Sequence, residues 1–316
     1  MKQVKGRLLE LAPVLLLVSF ATFALVRVLP GDPARAFLGP QASQQEVALL
    51  RHQIGLDRPI ISAYGHWLAR AFHGDLGQSY QTGQSVVSAL AQRLPVSIEL
   101  MLLAQVLGLA VAVPVGVLTA YRAEGLVDRA WSGLSFATIA LPSFVLGLLL
   151  IIVFPVKLNV LQISGFTHLT HSVGGNLESM TLPALTLALP QIAIYSRVLR
   201  GDMIATLRED HVTMAEAKGL PTWQILFRYA LRPSSFSLIT LAGLNVGQLM
   251  SGAVVVEFLF GLPGVGMLLV SSIFAHDLVM IQGVILFTVV VYVAINLGVD
   301  LLYAVLDPRT RHVAAA

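Results

Sequence analysis

Six stretches of this chain are apolar for long enough to cross a hydrocarbon layer as helix, and most of the charge falls between them. A helix rises 1.5 Å per residue and a bilayer core is about 30 Å thick, so about 20 residues are required. The stretches lie near 9–29, 95–119, 133–156, 180–197, 234–256 and 280–303. Backbone polar groups in lipid must be satisfied within the spanning element, so such runs specify helices. Only 12% of the 316 residues are charged, against about 25% in soluble domains. The expected fold is an all-α membrane bundle.

Several function classes drop out at once. Cysteine is absent, which removes disulfide scaffolds, thiolate metal sites and cysteine nucleophiles. No G-x-x-x-x-G-K-[ST] occurs, so the chain has no phosphate-cradling loop, and GLPGVG at 261–266 lacks the lysine and reads as a turn. Ser135, Ser143 and Ser251 lie in or near spans, but no span supplies a histidine to activate them. An enzyme is therefore not expected. The net charge of +3 fits basic loops beside spans, and no basic face studded with aromatics points to nucleic acid.

The distribution of lysine and arginine sets the expected orientation. With the N-terminus inside, Lys2, Lys5, Arg7, Arg122, Arg129, Arg197, Arg200, Arg208, Lys218, Arg228, Arg232, Arg309 and Arg311 are all cytoplasmic. Most of the others fall in 30–93, a segment long enough to translocate regardless of charge. The N-terminal run imitates a signal peptide, yet no A-x-A-like site follows it, so it reads as an uncleaved first span. Both termini are expected inside, in an inner (cytoplasmic) membrane.

Four regions follow. Residues 1–29 are the N-terminus and first span, and 30–93 form a small external subdomain. Residues 94–306 are a five-span core containing the loop 197–233, and 307–316 are a cytoplasmic tail. Within 30–93, SQQEVALLRHQIGL has helical spacing with Ser43 as N-cap, and PIISAYGHWLARAFHGDLG predicts a second helix ending near His73-Gly74. Segments 157–179 and 258–279 are expected as outer loops. His168 and His171 in the first of these lack further ligands and read as surface histidines; no metal site is expected.

Loop 197–233 parses as helix, turn, helix. Asp210 suits an N-cap, Gly219 the left-handed C′ position, and Pro221 the first turn of the next helix. Trp223, Phe227 and Ala230 or Leu231 recur at helical spacing, which predicts an apolar stripe against the bundle. Ala215, Ala217 and Gly219 give a surface of low relief.

This loop resembles the EAA loop of permeases of ATP-binding-cassette importers, in the dipeptide/oligopeptide branch. The resemblance rests on Met214-Ala215-Glu216-Ala217-Lys218-Gly219-Leu220 and then Leu226, Arg228, Ala230, Leu231 and Arg232. Met214 stands where the branch commonly has threonine, and Pro233 where it has asparagine. LPGDP (29–33), GDLGQSY (74–80), RLPVSIEL (93–100), LPSF (141–144), LPALTLALP (182–190), GAVVVEFLFGLPGVG (252–266) and LLYAVLDPRTR (301–311) resemble that branch in the same order.

The resemblance implies a type I importer permease fold of six transmembrane helices, with the external subdomain between the first and second. It implies a second homologous permease, two ATPase subunits that bind ATP and Mg, and an extracytoplasmic substrate-binding protein; this chain, in membrane lipid, would hold no cofactor. Thr213, Met214, Ala215, Glu216, Ala217, Lys218, Gly219 and Leu220 would form the coupling surface for an ATPase. Short peptides are the expected solute; nickel or its complexes, glutathione or an oligosaccharide are alternatives, and an ion-coupled secondary transporter is a further one.

Polar residues inside spans complete the set of candidates, because burying them in hydrocarbon is costly. Glu99 is the ionisable residue well inside a span, lining a path or sitting at the headgroups. Asn245, Gln248 and Ser251 recur three apart beside Gly247 and Gly252, a polar face that either glues helices or lines the translocation path.

Overall fold

A computed structural model describes residues 13, 15–24, 38, 41–53, 57, 59–79, 81–162 and 165–306. Among these residues every named element is helical. They are α1 (Leu15–Ala24), α2 (Gln44–Gln53), α3 (Ile60–Phe72), α4 (Val86–Tyr121), α5 (Leu126–Ala140), α6 (Ser143–Lys157), α7 (Val173–Thr206), α8 (Asp210–Ala217), α9 (Thr222–Phe260), α10 (Val265–Phe274) and α11 (Leu278–Leu306). Four of them, α4, α7, α9 and α11, are long and apolar enough to cross a membrane, and α5 with α6 makes a bent fifth candidate. Of the expected first span, the described part is Pro13 and α1; the N-terminal basic residues, LPGDP and the tail 307–316 lie outside the described residues.

The chain divides into two compact units, Met1–Val96 with Pro263–Leu301, and Ser97–Leu262 with Leu302–Ala316. In the first, α2 opens on a capping box. Ser43 Oγ accepts from Glu46 N at 3.2 Å, while Glu46 Oε2 accepts from Ser43 N at 2.8 Å. The Ser43 N–H, and the Ser43 hydroxyl that also donates to Glu46 Oε2 at 2.8 Å, hold the exposed Glu46 carboxyl below its ordinary range. The helix α3 ends at Phe72 with His73 as its C-cap, as the sequence predicts. The following GDLGQS segment is fastened to the start of α11: Ser79 Oγ donates to Asp277 Oδ2 at 2.5 Å, Asp277 Oδ1 accepts from Met280 N at 3.2 Å, and Gln81 Nε2 donates to Ala275 O. Val86, Ala89, Leu90, Val265, Leu268, Met280 and Val284 form the apolar core beside it.

In the second unit α7 is the central helix, packed by α5, α6 and α9. It is 34 residues long, which extends the expected fourth span 180–197 at both ends, and its first turns take up part of the expected outer loop 157–179. Ser172 caps it by accepting from Gly175 N at 3.2 Å. Pro183 and Pro190 stay inside the helix, as close neighbours allow. Small residues bring α4 against it: a Cβ on Gly108 would stand 3.4 Å from Gln191 Cβ, and one on Gly116 would stand 3.1 Å from Ser196 O. With Ala112 fully buried between them, the three small residues recur every four positions, the spacing that lets helices in lipid approach closely.

The expected third span, 133–156, is broken. Between α5 and α6 the axis turns by 107° at Leu141-Pro142. Clash with the proline ring drives the preceding residue to extended backbone, and Leu141 has φ −92° and ψ 132°. Pro142 then serves as the N-cap of α6.

Candidate functional site

The loop joining α7 to α9 is built around α8. Its N-cap is Glu209, in extended conformation, whose carbonyl accepts from Val212 N and Thr213 N. Asp210, expected as the cap, stands one position later in the first turn, where its charge meets the positive end of the helix dipole. At the other end Gly219 N donates to Glu216 O at 2.8 Å and Leu220 N to Ala215 O at 3.3 Å, the paired bonds of a Schellman motif. Gly219 has φ +74°, and a Cβ there would meet nothing within 4 Å. Backbone conformation, and not crowding, requires the glycine.

Two faces result. Val212 and Ala215 are buried against Ile225, with Leu207, Leu220 and Tyr229 packed around them. Thr213, Met214, Glu216, Ala217, Lys218 and Gly219 are exposed. Ala215, expected on the open low-relief surface, is instead an anchor that seats α8 on the start of α9. Val212 is the anchor that sequence reasoning missed, although its spacing of three from Ala215 signals one face. His211 Nε2, 3.2 Å from the Tyr229 carbonyl, adds a tether.

The apolar stripe expected from Trp223 and Phe227 does not pack inwards. Trp223 is 64% exposed and Phe227 52%, while Ile225, Leu226 and Ala230 are buried. The reason is local: Ile225–Ala230 is a π-helical stretch, in which Leu231 N donates to Leu226 O. An i→i+5 turn is wider than an α turn and resets the phase on which the stripe was read.

The base of the loop is tied to the helices beneath it. Ser234 Oγ donates to Thr206 Oγ1 at 3.0 Å, and both residues are buried. One turn and a half further into α7, Arg200 grips Asp128 of α5 through two bonds of 2.5 and 2.6 Å. Asp128 Oδ2 also accepts from Glu124 N at 2.8 Å. Trp131 Nε1 donates to Ser196 Oγ at 2.9 Å, and the Arg197 guanidinium lies 4.3 Å from the centroid of the Phe136 ring.

The polar face of α9 separates into two parts. Asn245 is buried and its Nδ2 donates to Gln191 Oε1 of α7 at 2.8 Å. Nearby, Tyr195 OH donates to Gln105 Oε1 at 3.2 Å, and Gln105 Nε2 to Ala242 O at 3.3 Å. These neutral amides join α4, α7 and α9. Gln248 and Ser251, by contrast, are exposed on the other flank of α9 beside Leu244 and Val255. Glu99 on α4 is half-buried, with Oε1 out of contact with solvent and without a hydrogen-bond partner among the described residues. The structure thus groups Thr213 to Leu220 in one motif, sets Asn245 apart from Gln248 and Ser251, and leaves Glu99 on a different helix.

Comparison with known proteins gives matches over nearly the whole chain. A family described as the binding-protein-dependent transport system inner membrane component matches residues 112–312, and one for the N-terminal part of such membrane components matches 1–101. A putative peptide transport system permease protein of Brucella abortus is 39% identical over 306 residues, 97% of this chain and 98% of that one. A probable peptide ABC transporter permease protein of Sinorhizobium fredii is 37% identical with the same coverage. A glutathione transport system permease protein of Escherichia coli is 35% identical over 97% of each chain.

Proposed function

Because the chain belongs to the family of binding-protein-dependent transport inner-membrane components, we propose that it is one of two membrane halves of an ATP-driven importer for short peptides. A substrate-binding protein delivers the peptide outside, a second homologous permease completes the path, and two ATPase subunits bind ATP and Mg inside. Both termini and the loop 197–233 face the cytoplasm.

The exposed ridge of α8, Thr213, Met214, Glu216, Ala217 and Lys218, seats in a groove of one ATPase. Val212 and Ala215 carry the resulting displacement into α9, and Thr206, Ser234 and the Asp128–Arg200 pair carry it into α7 and α5. Packed helices respond to such a push as rigid bodies. Closure of the ATPases opens the path outwards, and hydrolysis resets it. Gln248 and Ser251 line that path, since an exposed amide and hydroxyl on a spanning helix gain hydrogen bonds from water or a peptide backbone that lipid cannot supply. Asn245 glues helices, and Glu99 lies beside the path.

The observation that carries this reading is α8 itself, a short helix with its inner face fixed in the protein and its outer face uncovered. The chain has no cysteine, so an Ala217→Cys variant carries a single attachment point. In native membranes a short thiol crosslinker on that residue is expected to capture an ATPase subunit. Capture of no nucleotide-binding neighbour would overturn the assignment. Mass spectrometry of the ligand that co-purifies with the complex and its binding protein decides between a peptide, glutathione and a metal complex.

A further inference from the structure

The helix α3 presents three different sectors where a helix at a protein–water boundary needs two. Its inner sector is Ile60, Ala63, Tyr64 and Trp67, packed with Phe23 and Leu286. A polar sector carries Ser62, His66 and Arg70. The third sector leaves two large apolar side chains exposed: Ile61 is 76% exposed and Phe72 is 81% exposed, and with Gly65 they recur at i, i+4 and i+11 along one face, while Leu68 at its edge packs on the inner cluster. A surface helix wholly in water has no use for that stripe.

What α3 packs on identifies the surroundings of the stripe. Tyr64 OH stands 2.7 Å from Ser19 Oγ and donates to Leu16 O at 3.3 Å, both on α1. The rings of Phe20 and Phe23 meet Tyr64 at centroid distances of 5.2 and 5.6 Å. Leu286 is eight residues into α11, which places it about 12 Å along the axis from the first turn. Each headgroup layer is only about 5–8 Å deep. With the span of α11 beginning near 280, as the sequence predicts, the inner sector of α3 meets α11 at hydrocarbon depth. In the polar sector His66 Nδ1 donates to Ser62 O, and at the C-cap His73 Nδ1 donates to Ala69 O, each at 2.8 Å. Arg70 extends from the last turn, where a long cationic side chain reaches phosphate headgroups.

We propose that α3 is a lipid-embedded helix, lying within the leaflet that surrounds the N-terminal end of α11 with Ile61 and Phe72 among the acyl chains. The 59–73 stretch is then a membrane anchor rather than part of a water-exposed subdomain, and its occupant is phospholipid.

The test uses the assembled transporter in nanodiscs of phosphatidylcholine and phosphatidylglycerol, with a bimane label on single cysteines at Ile61→Cys, Phe72→Cys and, as an aqueous reference on α2, Gln45→Cys. Brominated phosphatidylcholine is expected to quench the labels at 61 and 72 strongly and the label at 45 little, and aqueous iodide is expected to do the reverse. Iodide quenching at 61 and 72 equal to that at 45 would overturn the proposal in favour of open water. Protection from both quenchers would overturn it in favour of a protein partner. Because both substitutions replace exposed side chains, correct assembly is checked by unchanged ATP hydrolysis before labelling.

Discussion

Two neighbouring stretches of α7 are held in place by different chemistry. Around Gln191 and Tyr195 the links to α4 and α9 are neutral amides and a phenol, set among small residues. From Ser196 to Arg200 the links are an indole hydrogen bond, a guanidinium over a ring and a two-bond ion pair. Full charge is costly in hydrocarbon and affordable where water and headgroups reach. The change of chemistry near Ser196 coincides with the end of the span expected at 180–197. Small residues hold α4 close along both stretches; charge is added only from Ser196 onwards, and that is the side from which α8 projects.

The contrast is sharpest under substitution of Asp128, which is 3% exposed. Asp128→Ala leaves the part-exposed Arg200 without its partner, and losing hydrogen bonds between charged groups of this kind costs about 1.5–3 kcal/mol. The expected result is a large fall in the thermal midpoint of the purified complex, partly recovered in Asp128→Asn, which keeps an acceptor for Glu124 N. A fully stable Asp128→Ala protein would show that charge does not hold this end of α7.

Next in size is Gly116→Leu, aimed at the close approach of α4 to α7 beside Ser196 and Leu199. A Cβ already stands 3.0 Å from Leu199 Cδ2, and overpacking costs about 1–3 kcal/mol. Reduced recovery of folded protein from membranes is expected, and normal recovery would mean that α4 and α7 can part without loss.

Gly219→Val is the third. A left-handed conformation costs a residue with a side chain about 1–2 kcal/mol, and the Schellman closure of α8 depends on it. The variant is expected to insert normally but to hydrolyse ATP with little peptide uptake, read as solute moved per ATP in proteoliposomes. An unchanged ratio would remove α8 from the coupling role.

The smallest effect separates the two parts of the α9 polar face. Asn245→Leu should lower stability by about 0.6 kcal/mol, the average for a hydrogen bond between membrane helices, with transport close to normal. Gln248→Leu should leave the melting curve alone and slow uptake. The opposite pattern would exchange the roles of glue and path.

Much of this arrangement is legible in the sequence. Ser43 as N-cap, the end of α3 at His73-Gly74 and the left-handed Gly219 all follow from signals within a few residues, and the structure has each in place. What local reading misses depends on neighbours or on phase. Pro183 and Pro190 lie inside a fourth span expected only over 180–197, yet surrounding helices keep α7 continuous over 34 residues; at Pro142, where a kink is expected, the axis turns through 107°. Trp223 and Phe227 fit an α stripe, and a single π stretch turns them outwards. Ala215 reads as open surface because alanine is small, and it is buried for the same reason.

The fastening of Ser79 to Asp277 ties together residues 198 positions apart. Synthesis proceeds from the N-terminus, so when the GDLGQS segment first emerges its counterpart has not been made. The first compact unit must wait, open and incomplete, while the whole of Ser97–Leu262 is inserted. A chain truncated before Asp277 would leave that segment accessible to protease, and release of the last helix from the translocon becomes the event that seals the unit.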